Sequence, residues 1–224
     1  MERILLPIVM LGGSIALVGG IILLVRHAAK KRREALVAFA TEMGLQFSAV
    51  QDEDLLGKME MFSLFNRGRS RKMRNVMTTE TDVARLSIFD YQYTTGGGES
   101  SRTYRQTVVA LESEALVLPA FSLRPEGFLH KIGAAIGMQD IDFENHPEFS
   151  DSFVLTGGDE QAVRSFFDDN LLDHFVQQKG SCVEGASGMF IYFRSGQRKP
   201  GDIREFMNQG YMMYSAFIDR SSRS

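Results

Sequence analysis

"FDYQYTTGGGESSRTYRQTVVAL", residues 89 to 111, is the stretch from which the architecture of this chain can be predicted. In its first arm Phe89, Tyr91 and Tyr93 alternate with polar residues, and the second arm is equally rich in residues that favour strands. Such alternation is typical of half-buried strands. The "GGGESS" between the arms has the composition of a hairpin loop. The stretch therefore predicts two antiparallel strands.

The same glycines could instead belong to a phosphate-binding loop. Such a loop leads from glycine-rich backbone into a helix, with a lysine and a hydroxyl residue directly after the glycines. Here a strand is predicted after the loop, and no Gly-Lys-Ser/Thr sequence is present. A hairpin tip is thus preferred over a nucleotide site.

The charges of the 224-residue chain are unevenly distributed behind a net charge of -3. Residues 26 to 75 carry 11 Lys/Arg against 6 Asp/Glu, whereas residues 76 to 224 carry 13 against 21. The one cysteine, Cys182, excludes an intramolecular disulfide and a multi-cysteine metal cluster. We interpret Cys182 as a buried, small apolar residue.

The basic part follows the most apolar segment, Ile4 to Val25, which holds 22 residues without a charge. As a helix of about 1.5 Å per residue it would cross a bilayer core of about 30 Å. The run is longer than the apolar region of a signal peptide, and "RHAAKKRR" after it is a stop-transfer pattern. Residues 1 to 25 are therefore predicted to be an uncleaved transmembrane anchor.

The flanks of this anchor predict its orientation. Arg3 precedes it, and five cations follow within eight residues. The positive-inside rule then places the N-terminus outside and the bulk of the chain in the cytoplasm, with the anchor in the inner (cytoplasmic) membrane.

Three parts are predicted after the anchor, and together they indicate an α+β fold with antiparallel sheet packed against helices. Residues 26 to 44 form a juxtamembrane basic and amphipathic helix, residues 45 to 140 a β-rich α+β domain, and residues 141 to 224 a β-α-β-β-α subdomain packed on it. Whether the two soluble parts share one sheet is left open by the sequence.

Two helix patterns in these parts are specific enough to be checked. Leu36, Phe39, Ala40 and Met43 fall at helical spacing before Gly44, and packing on the soluble domain is favoured over binding to the membrane surface. In the last helix, Asp202 and Glu205 are spaced as a capping box.

A second basic run lies between residues 67 and 74, and a solvated loop or sheet edge is its simplest interpretation. Nucleic acid is disfavoured as a ligand, because no nucleic-acid fold signature accompanies the run. A membrane-tethered chain meets anionic lipid headgroups first. The residues predicted as candidates for lipid contact are Arg26, Lys30, Lys31, Arg32, Arg33, Arg67, Arg69, Arg71, Lys72 and Arg74.

The anchor also carries small residues at a spacing of four. Gly12, Ala16 and Gly20 would stack along one helix face and let two backbones approach closely. This spacing suggests a homodimer formed through the anchor, although glycine is common in membrane helices.

Several longer stretches resemble a known family. "FDYQYTTGGG", "RTYRQTVV", "FSLRPEGFLHKIG", "GMQDIDFENHPEFS" and "FVLTGGDEQAVRSFF" are similar to segments of a family of uncharacterised bacterial single-pass membrane proteins. The resemblance covers nearly the whole chain and implies an N-terminal anchor joined to a cytoplasmic α+β domain. It implies no catalytic residues.

No residue pattern in the sequence indicates catalysis, a cofactor or a metal. The acidic segment from Asp140 to Asp151 lacks the glycine and the final glutamate of a calcium loop. The preferred function is therefore a membrane-anchored cytoplasmic interaction or scaffold module with an unknown protein partner. The alternative is a membrane-tethered hydrolase that uses Asp and His side chains, such as those near His174.

Overall fold

The computed structural model describes residues 2 to 127 and 140 to 222 of the chain. Side chains are described from residue 17 onwards within these ranges, except that of Glu99. The described helices are α1 (Glu2–Met43), α2 (Glu53–Met59), α3 (Pro147–Ser152), α4 (Glu160–Phe166), α5 (Asp169–Gln177) and α6 (Ile203–Ser221). The strands are β1 (Gln46–Ser48), β2 (Arg69–Glu80), β3 (Arg85–Thr95), β4 (Arg102–Glu112), β5 (Leu118–Pro125), β6 (Phe153–Gly157), β7 (Ser181–Ser187) and β8 (Met189–Arg194).

All eight strands form one antiparallel sheet in the order β1-β2-β3-β4-β8-β7-β5-β6. The β7–β8 hairpin lies between β4 and β5, so strands from both predicted soluble parts share this sheet. The prediction of an α+β fold with antiparallel sheet and packed helices is confirmed.

The hairpin predicted from residues 89 to 111 is confirmed as the pair β3–β4. Tyr93 lies opposite Tyr104, and the two rings stack with centroids 5.3 Å apart. The turn requires glycine at Gly96, whose φ is 72° and where a Cβ atom would lie 2.6 Å from the carbonyl oxygen of Ser100. This close approach explains one glycine of the loop without any ligand.

The sheet is covered on both faces, and the two coverings differ in size. We call the side covered by α1, α3, α4, α5 and α6 the helix face; it holds the larger apolar core. We call the other side the opposite face; α2 and a 3₁₀ turn at Ser63–Asn66 cover it. Side chains alternate between the faces as expected for strands: in β8, Phe190 and Tyr192 pack on the helix face and Phe193 on the opposite face.

Helix α1 joins the N-terminal segment to this domain. Leu36, Phe39 and Ala40 are buried in the core of the helix face, which confirms the predicted packing on the soluble domain. Gly44 ends the helix with a φ of 68°, as predicted. Apolar side chains between Leu17 and Val25 are exposed.

The described part of the chain contains no helix that combines the length and the apolar character needed to cross a membrane. The side chains of residues 1 to 16, which make up more than half of the predicted anchor, are outside the described set. The same holds for Gly12 and Ala16 of the predicted dimer contact.

Two local predictions need correction or refinement. The predicted capping box is wrong, because the side chain of Asp202 makes no capping hydrogen bond. A 3₁₀ turn at Pro200–Asp202 holds Asp202 at φ -95° and ψ -3°, away from the extended conformation of a capping residue.

The basic run is a sheet edge rather than a loop from Arg69 onwards, since β1 pairs only with residues 76 to 78 of β2.

Candidate functional site: the basic end of the sheet

A charged cluster on the helix face fixes α1 to the sheet. Arg32 donates from Nε and Nη2 to the two carboxylate oxygens of Asp90, at 2.8 and 2.7 Å, and from Nη1 to the carbonyl oxygen of Arg198 at 2.7 Å. Asp90 also accepts from Asn75 Nδ2 at 2.9 Å and from Thr107 Oγ1 at 3.2 Å. We call Arg32, Asp90, Asn75 and Thr107 the helix-face clasp.

The clasp determines where the chain leaves the sheet. Arg32 binds at the level of Asp90, whereas the chain after α1 continues into Gln46, which lies opposite Thr78 and thus near Ser87. From Arg32 to Gln46 the chain therefore moves away from the tip of the β3–β4 hairpin. The part of α1 that precedes Arg32 consequently leaves the sheet at the end where that tip lies.

The exposed cations of β2 and β4 lie at this same end. In β2, Arg69 is opposite Thr94 and Lys72 is opposite Gln92; in β4, Arg105 is also opposite Gln92. All of these positions lie between the clasp and the hairpin tip. We call the exposed cations there the basic end, which comprises Arg69, Arg71, Lys72, Arg74, Arg102 and Arg105.

The predicted lipid-contact residues fall into three structural groups. The first is exposed on α1 around the clasp residue Arg32 and comprises Arg26, Lys30, Lys31 and Arg33. The second belongs to the basic end and comprises Arg69, Arg71, Lys72 and Arg74. The third is engaged inside the domain: Arg32 binds Asp90, and Arg67 is half-buried on the opposite face.

Sequence reasoning missed Arg102 and Arg105. The signal that identifies them is the register of the hairpin, which places Arg102 opposite Thr95 and Arg105 opposite Gln92. Because opposite residues in antiparallel strands share a face, Arg105 lies on the helix face with Lys72. The basic end therefore extends over three adjacent strands, β2 to β4.

The basic-end cations are not equally available to a ligand, because two of them donate hydrogen bonds within the domain. Arg71 donates from Nη1 to the carbonyl oxygen of Phe65 at 2.5 Å, and Arg69 donates to the carbonyl oxygen of Gly96. Lys72, Arg74 and Arg105 lie on the helix face, the side on which α1 leaves the sheet.

The hydrolase alternative placed His174 with the aspartates of α5, but a different histidine contacts them in the structure. His146, not His174, contacts the two aspartates of α5: its Nε2 is 3.0 Å from Asp169 Oδ1 and its Nδ1 is 3.7 Å from Asp173 Oδ1. Both carboxylates are largely exposed. His174 is half-buried, and burial lowers its pKa. Within the described residues, no group of three or more His, Cys, Asp or Glu side chains is arranged to hold a metal.

Comparison with solved structures shows a similar fold. The crystal structure of the mycobacterial trehalose monomycolate transport factor A, TtfA, matches with a TM-score of 0.58 and 14% sequence identity over 85% of this chain and 92% of that chain. No family model matches the chain, and neither does any curated protein. At this identity the likeness to TtfA concerns the fold alone.

Proposed function

We propose that this chain is a membrane-anchored interaction module without catalytic activity, whose soluble domain lies in the cytoplasm with its basic end against the inner leaflet. The observation that carries the proposal is the continuity of α1. One helix runs from exposed apolar residues between Leu17 and Val25, through the basic flank, to core residues such as Leu36. The uncharged run from Ile4 to Val25 supports a membrane anchor at its start.

The distance between anchor and clasp favours close contact with the headgroups. From Val25 to Arg32 a helix advances about 10 Å. The basic end extends from the level of Arg32 toward the hairpin tip, on the side from which α1 arrives, so its outer cations lie nearer the headgroups than Arg32 does. At a Debye length of about 8 Å, those cations are within reach of the potential of an anionic leaflet. Each cation near such a surface contributes up to about 1 kcal/mol to the free energy of membrane binding. The contribution is smaller where the cation is already hydrogen-bonded or is screened by salt.

The neighbouring fold supports a role in binding rather than in chemistry. TtfA is a mycobacterial trehalose monomycolate transport factor. By analogy, we propose that the present chain binds a protein partner at the cytoplasmic side of a membrane. The acidic remainder of the domain, repelled from the leaflet, would face that partner.

Topology is the first test. A reporter that is active only in the cytoplasm, fused after Ser224, should be active, because five cations follow the anchor and one precedes it. The matched control is a periplasm-only reporter fused at the same position, which should be inactive. Activity of a periplasm-only reporter after Ser224 would overturn the proposal.

Contact of the basic end with lipid can be measured at the hairpin tip. Gly97→Cys introduces a thiol where a Cβ atom meets nothing within 4 Å, and the native thiol of Cys182 is buried. We expect a polar maleimide to label the introduced thiol of the full chain several-fold more slowly in anionic than in neutral nanodiscs.

Charge removal on the helix face provides the control for this experiment. Replacing Lys72, Arg74 and Arg105 with Ser should abolish the difference between the two lipids. Replacing the exposed cations Arg164 and Lys179, which lie on and just after other helices, should leave it intact. Equal labelling rates of the otherwise unchanged Gly97→Cys protein in both lipids would contradict contact at the basic end.

A further inference from the structure

Exposed apolar side chains gather at the end of the sheet that lies opposite the β3–β4 hairpin tip. Val83 lies in the turn between β2 and β3, Val117 lies between β4 and β5, and Tyr211 lies on α6. Their exposed fractions are 70%, 63% and 61%. A strand advances about 3.3 Å per residue, so the length of β3 separates this end from the hairpin tip by about 30 Å. We call this end of the sheet the distal end.

Ser113, which directly follows β4, connects the elements that meet at the distal end. Its Oγ donates to the carbonyl oxygen of Val83 at 2.7 Å. Tyr214 of α6 donates from its hydroxyl group to the same Oγ at 3.3 Å. The rings of Tyr211 and Tyr214 lie 6.0 Å apart. These contacts bring the β2–β3 turn and α6 to one side of the sheet end.

The loop that carries Val117 is fixed to the same place. The backbone N–H of Leu116 donates to the carbonyl oxygen of Ser113 at 3.2 Å, and the backbone N–H of Val117 donates to Ser221 Oγ of α6 at 3.1 Å. An exposed apolar patch of this kind, bordered by polar residues, is typical of an interaction surface. We call Val83, Val117, Tyr211 and Tyr214 the distal apolar surface.

Three exposed carboxylates border this surface, and we call them the acidic rim. Asp82 directly precedes Val83, and Glu114 directly follows Ser113. Asp219 lies eight positions after Tyr211 on α6, so the two side chains share one face of that helix.

The cations of the distal end do not neutralise the acidic rim. Arg85 Nη2 lies 3.7 Å from Asp52 Oδ2, and Lys58 donates from Nζ to Glu112 Oε1 at 2.5 Å. Within the described part of the chain, the three rim carboxylates form no salt bridge. The distal end therefore keeps an excess of negative charge, the reverse of the basic end.

We propose that the distal apolar surface binds a segment of a partner protein in which apolar side chains are flanked by lysine or arginine. Contact with Val83, Val117 and Tyr211 removes apolar area from water, and tyrosine is enriched among the residues that dominate binding energy. The acidic rim attracts the flanking cations and repels an acidic partner.

Charge favours such a partner over a second copy of this chain. A symmetric dimer through this surface would place two acidic rims against each other. The inference rests on the proposed function, because contact of the basic end with the leaflet directs the distal end toward the cytoplasm.

The test measures binding of synthetic peptides to the full chain in neutral nanodiscs by fluorescence anisotropy, with binding to empty nanodiscs subtracted. The probe is a short helical peptide that has a leucine stripe flanked by lysines. One comparison peptide carries glutamate in place of lysine, and another carries serine in place of leucine. We expect saturable binding of the leucine–lysine peptide, and binding at least about tenfold weaker for each comparison peptide.

Serine substitutions locate the contact. Val83→Ser and Tyr211→Ser each remove an exposed apolar side chain and should weaken binding of the leucine–lysine peptide about fivefold. Val50→Ser is the matched control, because Val50 is also 70% exposed but lies in the loop after β1. It should leave the affinity unchanged.

Charge removal tests the acidic rim. Glu114→Gln combined with Asp219→Asn should slow association of the leucine–lysine peptide and reduce the salt dependence of its affinity. Equal affinities for the lysine and glutamate peptides, or equal effects of Val83→Ser and Val50→Ser, would overturn the proposal. A dimer of the full chain that Tyr211→Ser dissociates would assign the surface to a second copy and also overturn it.

Peptide binding and membrane contact fail independently. If the labelling rates of Gly97→Cys are equal in both lipids while the peptide still binds, the contact of the basic end is overturned and the distal surface stands. If the rates differ and the leucine–lysine peptide does not bind, the distal surface is overturned and the membrane contact stands.

Discussion

Each face of the sheet carries a buried arginine–carboxylate cluster, and the two differ in charge balance. In the helix-face clasp one guanidinium, Arg32, meets one carboxylate, Asp90. Within the described residues, no buried polar atom of Arg32, Asp90, Asn75 or Thr107 lacks a hydrogen-bond partner.

On the opposite face, Arg124 binds the carboxylate of Glu184, and a second guanidinium, that of Arg67, lies near both and hydrogen-bonds Tyr93. Buried polar groups in folded proteins are almost always paired. The comparison therefore assigns attachment of α1 to the clasp and attachment of the 3₁₀ turn at Ser63–Asn66 to Glu184 on the opposite face.

The largest effect is expected when the opposite face loses its carboxylate. Glu184→Ala leaves Arg124 and Arg67 without this counter-charge and the N–H groups of Ser63 and Leu64 without an acceptor. Breaking a buried pair in this way costs about 4 kcal/mol of unfolding free energy. Urea unfolding of the full chain in neutral detergent measures this loss. A loss below about 1 kcal/mol would show that the cluster does not hold the 3₁₀ turn.

The clasp should respond less strongly to the same change. Asp90→Ala removes the acceptor of Arg32 and Asn75, but the Arg32 side chain is 18% exposed and can be partly rehydrated. We expect a loss of about 3 kcal/mol in urea unfolding. Adding Arg32→Met to Asp90→Ala should cost no more, because the cation without a partner is then gone. Additive losses would mean that the two side chains are not coupled.

Substituting the two arginines sharpens the comparison further. Arg32→Met leaves Asp90 without its cation and should destabilise the protein by about 2 kcal/mol. Arg67→Met removes a half-buried charge and its hydrogen bond to Tyr93, but methionine replaces much of the apolar stem, so stability should fall by less than about 1 kcal/mol. A thermal or urea midpoint for each variant measures the difference. Equal losses in both variants would remove the distinction between the clusters.

Local patterns predicted much of this fold. Alternation in β3, the glycine-rich loop and the helical spacing of Leu36, Phe39 and Ala40 each concern neighbours in the chain. Such patterns report which side of an element is buried. They therefore predicted the hairpin, the packing of α1 and the buried Cys182, all of which the structure confirms.

Long-range pairing could not be predicted in the same way. The insertion of β7–β8 between β4 and β5 depends on which strands pair, and alternation is alike in all of them. Arg32 and Asp90 lie 58 positions apart in the chain. The residue types in the basic run do not show which of its cations points toward the sheet. Arg67 was predicted as a lipid contact for the same reason, since only its partial burial distinguishes it from the exposed Arg69.

The smallest predicted effect uses Cys182 as a reporter of the opposite face. Burial raises the pKa of its thiol from 9.0 to about 12. The unfolded chain therefore loses this proton more readily, so the thiol contributes stability that is fully present below pH 9 and is lost as the pH rises toward 12. Tyr91 and Tyr93, whose pKa values are also raised by burial, act in the same direction, so Cys182→Ala is needed to isolate the thiol. Between about pH 8 and pH 10 the protein with Cys182 should lose about 1 kcal/mol more unfolding free energy than Cys182→Ala. Identical pH dependence of the two proteins would mean that the thiol is not held in a desolvated site beside Glu184.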